Sequence, residues 1–292
     1  MSQLAIVVPA PVRAVLARFG EVGRVRPTVG GYSNTTFFTT IDGEPVVVKA
    51  NSDTRKRADL RRETEFLRFL AGSDLPVPAL RGYGADDDDE WTVLVIGAID
   101  AESGMSLIQR SDVDELELCA RQLGRVFSVV HDTTLSPFDV PADLEIDLSA
   151  RWAVDRPVDL VANVAFTHPA LRTGLSLVHG DAGFHNTLWD EGQLVGLIDW
   201  EFAGHGNPLA DAAWIWWSLI FRRAPEGVWD SFVDGYRSDR LAMLGWSSDA
   251  VLELVRAQMF SLLARTREGS GAQREWIRRL DGLGHLVVPE LS

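Results

Sequence analysis

The sequence predicts an α+β protein of two lobes: a small antiparallel β-sheet lobe, then a larger and mainly helical one. Three observations lead there. Alternating Thr and Phe up to Ile41, the Asp42-Gly43 pair and the Val46-Val47-Val48 run form a hairpin pattern, because Asp-Gly readily adopts the positive φ of a tight turn between strands. Val113, Leu116, Ala120, Leu123, Phe127 and Val130 recur three and four positions apart, which gives a helix one buried face. A chain of 292 residues that is 46% hydrophobic also has enough apolar mass for two lobes.

In chain order, residues 9–19 suit a short opening helix, with Pro11 in its first turn where a missing N–H costs little. Gly30-Gly31-Tyr32-Ser33-Asn34 precedes the hairpin. Glycines there let backbone N–H groups close over a phosphate, although glycine-rich turns into hairpins are common without any ligand. The hairpin ends at Lys49. Only Lys49 and Lys56 are lysines in a chain that otherwise uses arginine, and Lys49 ends an apolar strand, where a compact ammonium differs in use from a planar guanidinium. Lys56, in a charged cluster, is expected to be solvated.

Residues 56–70 form the next helix, with Leu60, Leu67 and Leu70 on its apolar stripe and Glu63 filling the gap. A carboxylate on a buried stripe needs a counter-ion, and Lys49 is the natural one. Strands are expected at 79–84 and 91–96, joined by a solvated acidic turn at 85–90. Beyond the helix at 112–131, which places His131 at its C-terminal end and Cys119 in its packing, a Pro-containing loop (132–147) and helical pieces (152–171) are expected. Further helices follow at 208–221, 225–236, 248–267 and 272–283.

Formal net charge is −14: residues 1–100 carry 12 basic and 14 acidic groups, residues 101–292 carry 16 and 28. Such a surface repels nucleic acid and anionic membrane. The acidic second part would attract a cationic small molecule. With no apolar run near the length of a membrane span and a single cysteine, a soluble cytoplasmic protein without disulfides is expected, as a monomer or homodimer.

The chemistry concentrates at LVHGDAGFHNTLWDEGQLVGLIDW, which starts at Leu177. Two short apolar segments, 175–178 and 194–198, stop at polar residues that a core would not choose. Strand ends hold side chains rigidly, so Asp181 is the candidate base. Asn186 and Asp199 offer hard oxygen ligands of the kind Mg2+ takes, and the combination points to phosphoryl transfer.

His179-Gly180-Asp181, four residues, Asn186, and a strand closing on Asp199 together resemble the aminoglycoside phosphotransferase family, small-molecule kinases related to protein kinases. The resemblance runs from the Gly30 loop to Asp211. It implies a protein-kinase-like fold with a nucleotide-binding lobe at 1–97 and a catalytic and substrate-binding lobe at 98–292. It also implies bound ATP or GTP, with Gly31, Ser33 and Asn34 over the phosphates, Lys49 on the α/β region, Glu63 fixing Lys49, and the backbone at Ile96 and Ala98 beside the adenine edge. Asp181 would accept the hydroxyl proton, Asn186 and Asp199 would hold Mg2+, His179 would shape the loop, and Asp211 would brace it through backbone N–H groups.

Transfer of the γ-phosphoryl group to a hydroxyl of a cationic antibiotic, inactivating it, is the expected function. Trp214, Trp216, Trp217, Trp229, Trp246 and Trp276 could offer aromatic faces to such a substrate, several of them being core residues because tryptophan is usually highly buried. A kinase of a choline-like alcohol, homoserine or an amino-sugar adduct is the alternative, and a nucleotide-binding pseudokinase the alternative of another class. A metal-hydrolase arrangement of His179, His185 and Asp199 fails because no two histidines share a helical face, which leaves His185 as a loop residue.

Overall fold

A computed structural model describes residues 7–28, 34–133, 176–264, 266 and 269–291. Gly31 and Ser33, residues 134–147 of the loop expected at 132–147, and the helical pieces expected at 152–171 lie outside them; Asp132 itself is the last residue of a helix. The chain divides into two compact units, Met1–Ala101 with Val195–Phe202, and Glu102–Leu194 with Ala203–Ser292.

Among the described residues, the first unit is a five-stranded antiparallel sheet with two α-helices. Helix α1 (Ala10–Leu16) precedes strands β1 (Arg26–Pro27), β2 (Thr35–Ile41) and β3 (Glu44–Asn51), helix α2 (Thr54–Leu70), and strands β4 (Leu80–Ala85) and β5 (Thr92–Gly97); the sheet order is β1-β2-β3-β5-β4. Asp42 and Gly43 both have positive φ (51° and 84°), as the β2–β3 turn requires, and the register sets Lys49 opposite Thr36 on one side and Leu94 on the other. Val46, Val48 and Ala50 face a core shared with α1, whereas Lys49 takes the opposite face.

Asp53 caps α2, accepting hydrogen bonds from the N–H groups of Arg55 and Lys56, so this helix starts two residues before the sequence pattern suggests. Its buried face holds Leu60, Glu63, Leu67 and Leu70 as expected, with Asp59 added. The expected solvation of Lys56 is not found: its side chain is 18% exposed and its ammonium lies 3.5 Å from Asp59 and 3.7 Å from Glu201. A charged sequence neighbourhood does not expose a lysine when acidic partners on other turns and segments fold over it.

The second unit is mainly helical. Strand β6 (Glu102–Ser103) leads into α3 (Gly104–Arg110) and α4 (Val113–Asp132); β7 (Ser176–Val178), β8 (Thr187–Asp190) and the start of β9 (Gln193–Leu197) come next. After the first unit reclaims residues 195–202, β10 (Gly204–Gly206) pairs antiparallel with β7, and α5 (Pro208–Phe221), α6 (Val228–Tyr236), α7 (Ser238–Met243), α8 (Ser248–Ala264) and α9 (Gly271–Gly282) finish the chain. The apolar face of α4 is buried from Leu116 to Val130, but Val113 is 42% exposed because it belongs to the first turn.

Helices α4 and α6 cross closely through glycines. A Cβ on Gly235 would strike the Arg121 carbonyl oxygen, and one on Gly124 the Phe232 carbonyl oxygen. Backbone cannot yield as a flexible side chain can, so Gly235→Ala should destabilise the protein by about 1–3 kcal/mol or more, read by urea unfolding; an unchanged midpoint would contradict this crossing. Cys119 is fully buried on α4, where burial pushes its thiol up to about 11. Alkylation of the native protein at pH 8 should therefore be negligible and become fast only on unfolding.

Candidate functional site

In the first unit, Lys49 stands between two carboxylates. Its ammonium donates to Glu63 Oε1 and Oε2 at 2.7 and 2.8 Å, and to Asp199 Oδ1 at 2.8 Å. Burial alone would lower the lysine pKa, but Asp199 and Glu63 outweigh it and hold the ammonium well above the usual lysine range. Burial pushes Glu63 up, while Lys49 and the Trp200 backbone N–H pull it down. With both oxygens within hydrogen-bond reach of one ammonium, the pair is ionised.

Asp199 ends the apolar run of β9 in a left-handed conformation, φ 67°, costly for a non-glycine residue, and its side chain remains 34% exposed. Glu201 follows, nearly buried. Burial first and then the Asp199 charge push its carboxyl up to about 8, against the pull of Lys56 and Lys49. Asn34 donates to Glu201 Oε2 at 3.4 Å and accepts from Asn51 at 3.1 Å, while Arg62 donates to the Glu201 carbonyl oxygen at 3.1 Å. At the end of β5, Ile96 is buried and the Ala98 N–H donates to the Pro45 carbonyl, engaged within the sheet.

In the second unit, β7 delivers the chain into the His179-Gly180-Asp181 loop. Gly180 has φ 77°, a turn that a side chain would resist. Asp211, in the first turn of α5, accepts from the backbone N–H of His179 at 2.7 Å and of Gly180 at 2.9 Å. His131 shares the same carboxylate at 3.1 Å, and its other ring nitrogen meets the Tyr236 hydroxyl at 2.7 Å. His131 is thus an interior link between α4, α5 and α6, a role that its place at a helix end does not reveal. Gln258 on α8 donates to the Gly180 carbonyl at 2.6 Å, and His179, fully buried, accepts from the Asp181 N–H at 3.3 Å.

Asp181 sits among donors. Trp214 Nε1 donates to Oδ1 at 2.8 Å, His185 Nε2 lies 3.3 Å from that oxygen, and Asn186 Nδ2 donates to Oδ2 at 3.2 Å and to the Asp181 carbonyl at 2.9 Å. Burial would raise the Asp181 pKa, but His185, His179 and Trp214 outweigh it and hold the carboxyl down to about 2. It is a carboxylate at any physiological pH.

Lys49, Glu63 and Asp199 therefore converge in one unit, and His179, Asp181, Asn186 and Asp211 in the other; Gly31 and Ser33 lie outside the described residues. Sequence reasoning missed His185, Trp214, Glu201 and Gln258 as polar partners. Glu201 carried a signal, since it is flanked by Trp200 and Phe202. Trp214 and Gln258 carried none, because nothing local says where a tryptophan N–H or a helix glutamine finds its acceptor.

A model of the phosphotransferase enzyme family, APH, matches residues 24–246. An uncharacterized protein of Deinococcus radiodurans is 27% identical over 216 residues, 64% of this chain and 60% of that protein. A probable aminoglycoside 3'-phosphotransferase of Lactococcus lactis is 35% identical over 66 residues, 23% of this chain and 25% of that protein. The chain thus spans under two thirds of the curated relatives it matches. Among solved structures, the gentamicin complex of APH(2")-IIa superimposes with a TM-score of 0.70 at 15% identity, covering 94% of this chain and 97% of the other. A thermostable mutant of aminoglycoside phosphotransferase APH(4)-Ia, with ADP and hygromycin B, gives 0.62 at 18%, covering 95% and 98%. These structures share the fold.

Proposed function

Because the chain belongs to the phosphotransferase enzyme family, we propose that it moves the γ-phosphoryl group of ATP or GTP to a hydroxyl of a small molecule. The observation that carries this reading is Lys49 held between Glu63 and Asp199, a buried strand ammonium paired with a helix glutamate as in kinases, where that lysine contacts phosphates. Lys49 would neutralise the α/β phosphates, with the loop through Gly31, Ser33 and Asn34 over them and the 96–98 strand end beside the base.

Two residues each offer an oxygen of the kind that Mg2+ takes, and would be its protein ligands. Asn186 spends its amide N–H groups on Asp181, which leaves its carbonyl oxygen available, and Asp199 keeps one oxygen clear of Lys49. Mg2+ takes few protein oxygens and is ligated mostly by phosphate and water. When bound, Mg2+ would offset charge on the phosphates. Asp181, ionised and fixed by a loop that Asp211 braces, would orient the acceptor hydroxyl and take its proton.

The acceptor is a cationic antibiotic in this reading, drawn by the acidic residues of the 101–292 segment and supported by relatives whose structures hold hygromycin B and gentamicin. No described helix is long and apolar enough to cross a membrane, and a cytoplasmic monomer or homodimer would meet ATP and Mg2+. The test incubates the protein with Mg·ATP and a panel of aminoglycosides, choline-like alcohols and homoserine, and follows mass gain of one phosphoryl group. Transfer to an aminoglycoside is the expected result. Transfer only to a metabolite would move the acceptor class, and no transfer beyond that of Asp181→Ala would leave a nucleotide-binding module.

A further inference from the structure

The two oxygens of Asp181 are treated differently. Among the described residues, Oδ1 receives the Trp214 indole N–H at 2.8 Å and has His185 Nε2 at 3.3 Å, whereas Oδ2 has the Asn186 amide at 3.2 Å. The other nitrogen of His185, Nδ1, is buried without a hydrogen-bond partner. A buried N–H with no acceptor costs more than a buried lone pair, so the ring proton belongs on Nε2, where it donates to Oδ1.

Trp214 cannot swing away. Its ring is 4% exposed and stacks 4.4 Å from Trp217 and 6.2 Å from Trp276, so the N–H direction is set by packing on α5 and α9. We propose that Trp214 and His185 are positioning residues that saturate Oδ1 of Asp181, so that Oδ2 alone receives the acceptor hydroxyl. This rests on the phosphoryl-transfer reading for its consequence, but not for its geometry. In the step itself the hydroxyl proton passes to Oδ2 as the new O–P bond forms, and the bond from the γ-phosphorus to the bridging oxygen breaks with its electron pair leaving on ADP.

A carboxylate with one free, correctly aimed lone pair reacts without first rotating; one held by a single donor samples orientations in which neither oxygen meets the hydroxyl. The aromatic run of α5 thus does more than pack, since one of its rings fixes the base.

The test uses full-length protein labelled with 15N-tryptophan. Loss of one peak in Trp214→Phe assigns the Trp214 indole N–H signal, which should lie downfield in wild type and move upfield in Asp181→Ala. An unmoved signal overturns the proposal whether or not any acceptor is known. The kinetic arm uses Mg·ATP alone, with phosphate release to water as readout. Trp214→Phe keeps a ring in the stack and His185→Leu removes only a donor; each should lower kcat by about tenfold, as loss of a hydrogen bond to a charged group implies, with KM for ATP within about twofold. His185→Gln, whose Nε2 can replace the ring donor, should recover part of the loss. A loss falling on KM, or His185→Gln behaving like His185→Leu, overturns it. His185 is 20% exposed, so its variants remain informative if Trp214→Phe misfolds. If the indole signal responds as expected and wild type transfers nothing beyond Asp181→Ala, either to water or to any member of the acceptor panel, the phosphoryl-transfer reading fails while the geometry stands.

Discussion

Replacing Asp181 by asparagine should lower kcat for phosphoryl transfer by about 10²–10⁴-fold, the range a positioned general base supplies. KM for ATP should stay within about twofold, because Asn186 keeps its hydrogen bond to the Asp181 backbone carbonyl. Asparagine keeps an oxygen for Trp214 Nε1, and Asp211 still holds the loop through the backbone of His179 and Gly180, so the fold survives. What disappears is the charge that attracts a proton. The measurement is ADP formation against acceptor concentration, beside nucleotide binding by calorimetry. A variant with wild-type kcat would remove Asp181 from the chemistry.

Lys49→Met should abolish detectable transfer and also weaken the fold. Glu63 is 1% exposed, so without the ammonium it becomes a buried carboxylate with no neutralising partner. Removing one member of a buried pair typically costs about 3–5 kcal/mol. The double variant Lys49→Met, Glu63→Met should regain most of that stability, since two well-packed apolar side chains carry no desolvation cost, yet remain inactive.

The sign of the pH dependence follows from the burial that already pushes Glu63 up. A group whose pKa is higher folded than unfolded gives stability below its unfolded pKa and loses it as pH rises through the folded value. Lys49→Met should thus be least stable at alkaline pH and recover as pH falls toward the ordinary glutamate range. Urea unfolding of the three proteins across pH checks both claims. If Lys49→Met matches wild type throughout, the pair is not structural.

Much of the first unit was legible because its signals are local. Asp42-Gly43 forces the hairpin, and the gap in the α2 stripe marks Glu63 as buried and in need of a cation. Lys56 shows where local signals mislead. Its charged neighbours in sequence suggested water, whereas Glu201, 145 positions away, and Asp59 enclose it. His131 shows the complementary limit: the helix was correctly placed, but its partners Asp211 and Tyr236 lie 80 and 105 positions on.

From the sequence by itself came the α+β class, the strand carrying Lys49, the helix carrying Glu63 and the loop carrying Asp181, because periodicity and short spacings are properties of neighbouring residues. Only the tertiary structure decided that residues 195–202 return to the first unit, setting Asp199 against a lysine 150 positions earlier, and that a tryptophan on α5 donates to Asp181. Such pairings depend on which surfaces meet when apolar faces are buried together. A buried donor must then take whichever acceptor the packing brings within about 3 Å.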